Sequence, residues 1–421
     1  MTNGIFTVAI LGVGARGGNV YGKLMKKQPD KYKITHLCDM RKDRLEYYGE
    51  LFGVPESQRY TNEDDIFAER KADILVIGTQ DNDHIRHAIR AFETGYDILV
   101  EKPLSDNEEE CLKLLEAQKK SGCKALVCHV LRYAPAYRKL YEIVNSGILG
   151  KIVSINWTEP VAYWHQAHSY VRGNWRNTDI AAPMILAKCC HDLDLIQWFA
   201  KSKCRSVSSV GSLDFFKPEC APEGAAKRCT DCPHKSSCPY SAYKIYWEKW
   251  EKSGRPETGW PVSAVCQEPV KEKEFLNALE NGPYGRCVFY CDNNVVDHQT
   301  VQMLFENGIT ATLHMTAFTA TGGRRVTLFG TYGEVSMYDK EKIVVSVFGK
   351  PDEVIDVSTL TIDSSYGHGG GDYMLINTLY DMLMGNSAME TSLEASIECH
   401  LMGIKAEESR LAGGELKLVH R

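Results

Sequence analysis

A short apolar run that breaks into three spaced glycines constrains this chain more than any other feature. Thr7-Val8-Ala9-Ile10-Leu11 is what a strand buried on both faces needs, and Gly12-x-Gly14-x-x-Gly17 follows without a gap. In such a strand–turn–helix, Gly12 permits the tight turn and Gly14 lets the backbone approach a pyrophosphate. Gly17 lets the next helix pack on the strand, with the backbone at Ala15 and Arg16 facing the phosphates. A second apolar run, Ile34-Thr35-His36-Leu37-Cys38, ends in Asp39, 22 residues after Gly17, where a carboxylate accepts from an adenosine ribose hydroxyl. Together these predict a dinucleotide site. Asp39 would repel a ribose 2′-phosphate, which favours NAD; Arg41 and Arg44 close by keep NADP open.

The alternation begun there continues. Helices are expected at Asn19 to Gln28, Arg41 to Phe52, Asp83 to Thr94 and Glu108 to Ser121. Between them lie strand-like runs at Ala72 to Gly78, Asp97 to Val100 and Lys124 to Cys128. Strand and helix in turn predict a doubly wound parallel sheet, a Rossmann domain over residues 1–128. From about residue 150 the pattern changes to successive strands: Lys151 to Glu159, Ser206 to Phe216, Cys287 to Tyr290, Val295 to Glu306, Ile309 to Phe318, Arg325 to Gly330 and Lys342 to Gly349. Turns at Asn307-Gly308 and Tyr332-Gly333 imply hairpins. The second domain, residues 129–421, is therefore expected to be α+β on a large, mostly antiparallel open sheet, closed by helices at Tyr373 to Met384 and Leu393 to Leu411. The whole is of α/β class.

With 421 residues each domain can bury its own core. Against 55 acidic side chains stand 49 basic ones, without a basic run, which excludes nucleic acid as a partner. Met1 to Phe6 lacks the basic and apolar segments of a secretion signal, and no run reaches the ~18 apolar residues of a membrane span. A cytoplasmic protein that needs no membrane is expected.

At the end of the fourth strand stands Glu101-Lys102-Pro103, on the sheet edge where ligands of such folds gather. An ammonium there could stabilise the alkoxide that forms as hydride leaves a substrate hydroxyl. A solvated lysine is the plain alternative. With the glycine-rich start, Thr79 through His84, Glu101-Lys102-Pro103 and a histidine on a second-domain helix, the chain resembles the family named for glucose-fructose oxidoreductase, inositol dehydrogenase and MocA. The resemblance implies NAD(H) or NADP(H) chemistry on a CH–OH group of a sugar or cyclitol, and so a place in carbohydrate metabolism. It implies cofactor contacts at Thr79, His84, Glu101 and Lys102, and a catalytic histidine at His191. Asp194, three residues on, shares a helix face with His191, and imidazole titrates near neutrality, so it suits taking the hydroxyl proton.

One departure from the family pattern stands out. The family's aspartate four residues before the histidine is Ala187 here, with Lys188 next to it. Lys188 can share a face with His191 and Asp192 and project a cation into the crevice, as a substrate or catalytic residue; a surface lysine paired to Asp192 is the alternative. Substrate contacts are also expected from Arg132 and Tyr133 after the last Rossmann strand. The aromatic-rich stretch Glu159 to Arg176 adds Trp164, His165, Arg172 and Trp175, and Asp192 and the glycine-flanked His368 complete the set. Aromatic planes with polar tips suit a carbohydrate, though an aromatic core or a subunit interface would use the same residues.

Cys220, Cys229, Cys232 and Cys238 fall within Pro218 to Pro239, a proline- and charge-rich insertion with little apolar content to order itself. Tetrathiolate spacing suggests structural zinc, then an iron-sulfur cluster, then unligated thiols, with His234 able to replace one cysteine. The chain thus reads as an NAD(P)-dependent oxidoreductase of a secondary hydroxyl on a sugar, glycoside or cyclitol. A redox-neutral glycosidase using transient oxidation and elimination is a second reading, and a dinucleotide-sensing regulator a third. An apolar open sheet face would favour a homo-oligomer, dimer or tetramer.

Overall fold

Buried strands and helices alternate over the first third of the chain in the computed structural model, which describes residues 4–254, 259–266, 269–339, 341–360, 367–387 and 390–420. Met1–Asn3 of the expected unsignalled start lie outside the described residues. Strands β1 (Phe6–Leu11), β2 (Tyr32–Cys38), β3 (Arg59–Tyr60), β4 (Ile74–Ile77), β5 (Asp97–Val100) and β6 (Ala125–Val127) form a parallel sheet in the order β3-β2-β1-β4-β5-β6. The order reverses beside β1. Where the strand order of an open α/β sheet reverses, the neighbouring loops part, and this opens a ligand crevice at the carboxyl ends of β1 and β4.

Local chemistry explains the connecting helices. The helix Glu108–Ser121 starts where the Asn107 side chain accepts from the Glu110 amide at 3.1 Å, carries three glutamates in its first turn and two lysines in its last, and stops at Gly122, φ +70°. After β1 the first helix begins and ends two residues earlier than expected. It opens with a wide turn at Gly17–Gly22, where the Tyr21 amide donates to Arg16 O at 3.0 Å, and continues as Lys23–Lys26.

The second sheet has nine strands: β7 (Ile152–Pro160), β8 (Cys204–Ser212), β9 (His298–Phe305), β10 (Thr310–Thr316), β11 (Arg325–Gly330), β12 (Gly333–Tyr338), β13 (Lys342–Val347), β14 (Glu353–Asp356) and β15 (Lys417–Leu418). Their order is β14-β13-β12-β11-β7-β10-β9-β8-β15, antiparallel throughout except for the parallel pair β7–β10. Both predicted hairpins are present, at 307–308 between β9 and β10 and at 332–333 between β11 and β12. Cys287 to Tyr290 is not the expected strand; it is a turn in which the Tyr290 amide donates to Cys287 O at 3.1 Å.

One face of this sheet buries Ile155, Trp157, Val301, Met303, Leu313, Met315, Val326, Leu328, Val335 and Met337 under the helices Cys190–Ala200 and Leu393–Leu411. The other face is not the apolar one expected. Asn156, Thr158, Thr300, Gln302, Thr312, His314, Thr327 and Ser336 alternate with the core residues along the strands, so hydrophobic burial gives no ground there for a covering subunit. A second apolar core, with Phe216, Tyr246, Trp250, Phe275 and Phe289, lies beneath the cysteine-rich insertion. Among the described residues no helix is long and apolar enough to cross a membrane.

Candidate active site

The bend after β1 is closed on itself and open toward the crevice. Gly12 takes φ +85°, and a Cβ there would lie 2.6 Å from Gly78 O; a Cβ on Gly17 would lie 2.2 Å from Gly12 O. The two bends at β1 and β4 therefore pack backbone to backbone. Beside them the amides of Ala15 and Arg16 carry no backbone hydrogen bond among the described residues, as a phosphate cradle requires. At the end of β2, Asp39 accepts from the Arg41 amide at 2.9 Å and lies 3.7 Å from Arg44, whose guanidinium also borders Gly14. Open amides, a Cβ-free approach and a terminal carboxylate fit a dinucleotide.

Several side chains of the expected cofactor residues face elsewhere. The Arg16 side chain leaves the phosphate side to pair with Glu101 at 2.6 Å and Asp372 at 2.7 Å, tying the Rossmann domain to the helix Gly371–Leu383. The two acids hold one cation between them: burial would raise Glu101, but Arg16 and then Lys102 bring it below the ordinary carboxylate range, and Arg16 and His368 do the same for Asp372. His84 is buried with its ring 2.6 Å from Pro103 O and 3.2 Å from Thr79 O, so it braces two loops of the crevice from behind. Thr79 is itself held by its hydroxyl, 3.0 Å from His87. The Arg41 side chain turns to Asp43 at the surface.

Lys102 and His191 converge across the crevice. Lys102 Nζ donates to Ala187 O at 3.0 Å, reaching from the end of β5 to the loop before His191. His191, in the first turn of the helix Cys190–Ala200, is 6% exposed, and its Nδ1 is buried without a partner among the described residues. Burial first, then the Lys102 charge, depress its pKa well below the usual imidazole value. His191 is therefore neutral at physiological pH and able to accept a proton. His129 and His368 flank it, each with ring centroids 6.0 Å away.

Below this pair lies a balanced set of four charges. Arg324 Nε donates to Asp192 at 2.6 Å and its Nη2 lies 2.8 Å from Glu159, whose other oxygen is 3.4 Å from Lys188 Nζ. The Trp157 indole also donates to Asp192, at 2.7 Å. Lys188 is thus paired with Glu159 on β7 rather than with Asp192. Burial raises Asp192 to about 6, with Arg324 opposing, while Arg324 and Lys188 hold Glu159 below its usual value. Asp192 is wholly buried, and its carboxylate is engaged by Arg324 and Trp157 inside the fold.

Several expected substrate residues are likewise used inside the fold. Arg132 is buried in a two-pronged pair with Asp194, 2.7 Å on each prong, which takes Asp194 away from His191. The Tyr133 hydroxyl is buried against Thr391 at 2.9 Å. Arg172 is wholly buried among backbone carbonyls and Cys229, remote in bonding from the Lys102 pair. Trp175, from the second domain, donates at 3.1 Å to Asp81 on the Rossmann loop that carries Thr79. Trp164 and His165 pack on Trp260, with His165 held neutral by burial and by the Lys188 charge. His368 is half exposed, 2.9 Å from Asp372, and keeps a place at the rim. Cys220 bonds Asp214 O at 3.4 Å, apart from the other three predicted ligands. Sequence reasoning missed Glu159, Arg324, Asp372 and Asp81 as site residues. They come from four separate segments, and only the fold brings them together.

A crevice at the strand-order reversal, floored by glycines and faced by a lysine and a neutral histidine, defines a dinucleotide-dependent oxidoreductase. Residues 6–129 match the oxidoreductase family with NAD-binding Rossmann fold, and residues 142–418 match that family's C-terminal alpha/beta domain; the chain belongs to the glucose-fructose oxidoreductase, inositol dehydrogenase and MocA family. It is 23% identical over 412 residues to the putative oxidoreductase YteT of Bacillus subtilis (strain 168), covering 90% of this chain and 92% of the relative. Inositol 2-dehydrogenase of Corynebacterium glutamicum (strain R) is 25% identical over 206 residues, 48% of this chain and 56% of that one. Among solved structures, the WlbA dehydrogenase from Bordetella pertussis, crystallised with NADH and UDP-GlcNAcA, aligns at TM-score 0.69 and 14% identity over 99% of each chain.

Proposed function

We propose that this oxidoreductase transfers hydride between NAD and a secondary hydroxyl of a sugar or cyclitol, with Lys102 and His191 handling the hydroxyl proton. The observation that carries the reading is the neutral, buried His191 facing the Lys102 ammonium at the mouth of the glycine-floored crevice. The dinucleotide would rest on the amides of Ala15 and Arg16 with its ribose at Asp39, and when bound it supplies the hydride acceptor. Lys102 donates a hydrogen bond to the substrate oxygen and stabilises negative charge as it develops there. His191 takes the hydroxyl proton; burial, and with it the nearby ammonium, keeps it neutral before the substrate arrives. Asp39, already bonded to the Arg41 amide, favours a free ribose hydroxyl over a 2′-phosphate, which supports NAD over NADP.

Lys188 departs from the family's carboxylate, and its pairing with Glu159 makes it a cation that holds the substrate side of the crevice without adding net charge. Names of relatives, an inositol dehydrogenase and a dehydrogenase bound to a nucleotide sugar, support polyhydroxylated substrates. The test is absorbance near ~340 nm with NAD and a panel of sugars, nucleotide sugars, cyclitols and aryl glycosides. Lys102→Ala and His191→Ala should each lower kcat by ~10²-fold or more. Unchanged turnover in both variants refutes the assignment, and aryl release without net reduced cofactor would replace it with redox-neutral cleavage.

A further inference from the structure

Away from the crevice, Cys229, Cys232, Cys238 and Cys287 line one pocket together with Arg172 and His234. The fourth thiol is thus not Cys220. The backbone explains the exchange: the chain around Cys229 pairs with the chain around Cys287, the Cys229 amide donating to Gly285 O and the Cys287 amide to Lys227 O, both at 2.9 Å. Tight turns bring in the others, with the Cys232 amide 3.4 Å from Cys229 O and the Cys238 amide 2.8 Å from His234 O. Backbone amides of Tyr240 and Phe289 face the sulfurs of Cys238 and Cys287, as they do where thiolates need donors. All four thiols are free.

Arg172 gives a second and independent indication. It is wholly buried, its Nε donates to Arg286 O at 2.6 Å and its Nη2 to Tyr240 O at 2.7 Å and Cys229 Sγ at 3.4 Å, while Nη1 has no partner. Among the described residues no carboxylate pairs with it. A guanidinium cannot shed its charge, so burial without a counterion calls for an anion at the cavity. Thiols supply that charge once a metal displaces their protons.

The spacing of the sulfurs bears on which metal. Around a single zinc, four thiolates at ~2.3 Å would bring the sulfurs within about 3.8 Å of one another. Among the described residues, the group of three or more ligand atoms within 4.8 Å of one another is His129, Cys399 and His400, in the core of the fold; no three of the four sulfurs in this pocket lie that close together. The two His400 nitrogens are already bonded, to Ser396 O and the Leu104 amide, so that core group has no lone pair to spare for an ion.

We propose that Cys229, Cys232, Cys238 and Cys287 bind an iron-sulfur cluster of the four-iron type, whose anionic core is countered by Arg172. The cluster pins Arg172 at one end of the helical segment that carries His165 at the other, and it orders the insertion over the second aromatic core. Its role is structural, independent of the hydride reaction.

The test is metal content of the full chain purified without oxygen, with absorption near ~400 nm and paramagnetic resonance after dithionite. About four iron and four acid-labile sulfide per chain are expected. Cys232→Ser and Cys287→Ser should each lose them and Cys220→Ser should keep them. A folded wild-type chain that takes up no iron and sulfide even on anaerobic reconstitution overturns the proposal, as does one zinc per chain. So does a cluster that survives Cys287→Ser but not Cys220→Ser. Where a serine variant does not fold, the wild-type metal content alone decides.

Discussion

Acidification should destabilise this protein well above the range in which carboxylates titrate, because the fold holds histidines in their neutral form. His400 shows why. Its Nε2 accepts from the Leu104 amide at 2.8 Å and its Nδ1 donates to Ser396 O at 2.6 Å, so a second proton would set one N–H against another. Burial above all pushes its pKa down to about 3; burial and Arg172 do the same for His168, also to about 3. Both groups titrate near 6.5 once unfolded, so below that pH the unfolded chain binds protons that the native chain does not, and stability falls with pH. At pH 5.5 each costs ~1.4 kcal/mol relative to neutrality, or roughly 3 kcal/mol for the pair. Asp192 opposes them: raised to about 6 in the fold, it is protonated there before it is in the unfolded chain, which returns on the order of 1 kcal/mol. The net loss from these three groups is ~2 kcal/mol, and His129, His165 and His191, also held low by burial, add to it in the same direction. Urea midpoints by tryptophan fluorescence at pH 7.5 and 5.5, at fixed ionic strength, measure it. His400→Gln, which keeps an acceptor for the Leu104 amide, should shrink the difference by ~1.4 kcal/mol. A midpoint that holds or rises on going to pH 5.5 refutes the reasoning.

Two further outcomes follow from packing and charge. Gly17→Ala sets a Cβ 2.2 Å from Gly12 O, a backbone atom that cannot step aside, so NAD affinity measured by calorimetry should fall by ~10-fold or more while the second domain keeps its fold. Arg324→Met leaves Glu159 and Asp192 buried without their shared cation and should cost ~3–5 kcal/mol in denaturant unfolding; Arg324→Lys, unable to bridge both acids, should recover little of it.

Elements were legible where the pattern is local. Glu108–Ser121 and Leu393–Leu411 lie where capping and periodicity put them, and β1 with its glycines fixed the crevice from eleven consecutive residues. The short strands β3, β14 and β15 carry too few residues for a period to show, and they pair only because longer neighbours offer an edge. Cys287 to Tyr290 reads as a strand by its apolar run, yet a turn there is what aims Cys287 at the other thiols.

Residue types at the site were legible too: the aspartate was marked by its place at the end of the second strand, the lysine and the histidine by short motifs the chain shares with its family. Their partners were not. Arg132, Arg172 and Asp192 carry the same groups whether they face a substrate or a buried counter-charge, and sequence gives the group without its direction. Here Arg132 closes on Asp194, Arg172 on carbonyls and a thiol, and Asp192 on Arg324. The amino-acid sequence by itself determined the two-domain α/β architecture and the dinucleotide crevice, because strand period, glycine spacing and short motifs act over a few neighbouring residues. Only the tertiary structure decided which charges neutralise one another and which thiols meet, since those pairings join residues up to hundreds of positions apart and depend on which polar groups burial forces together.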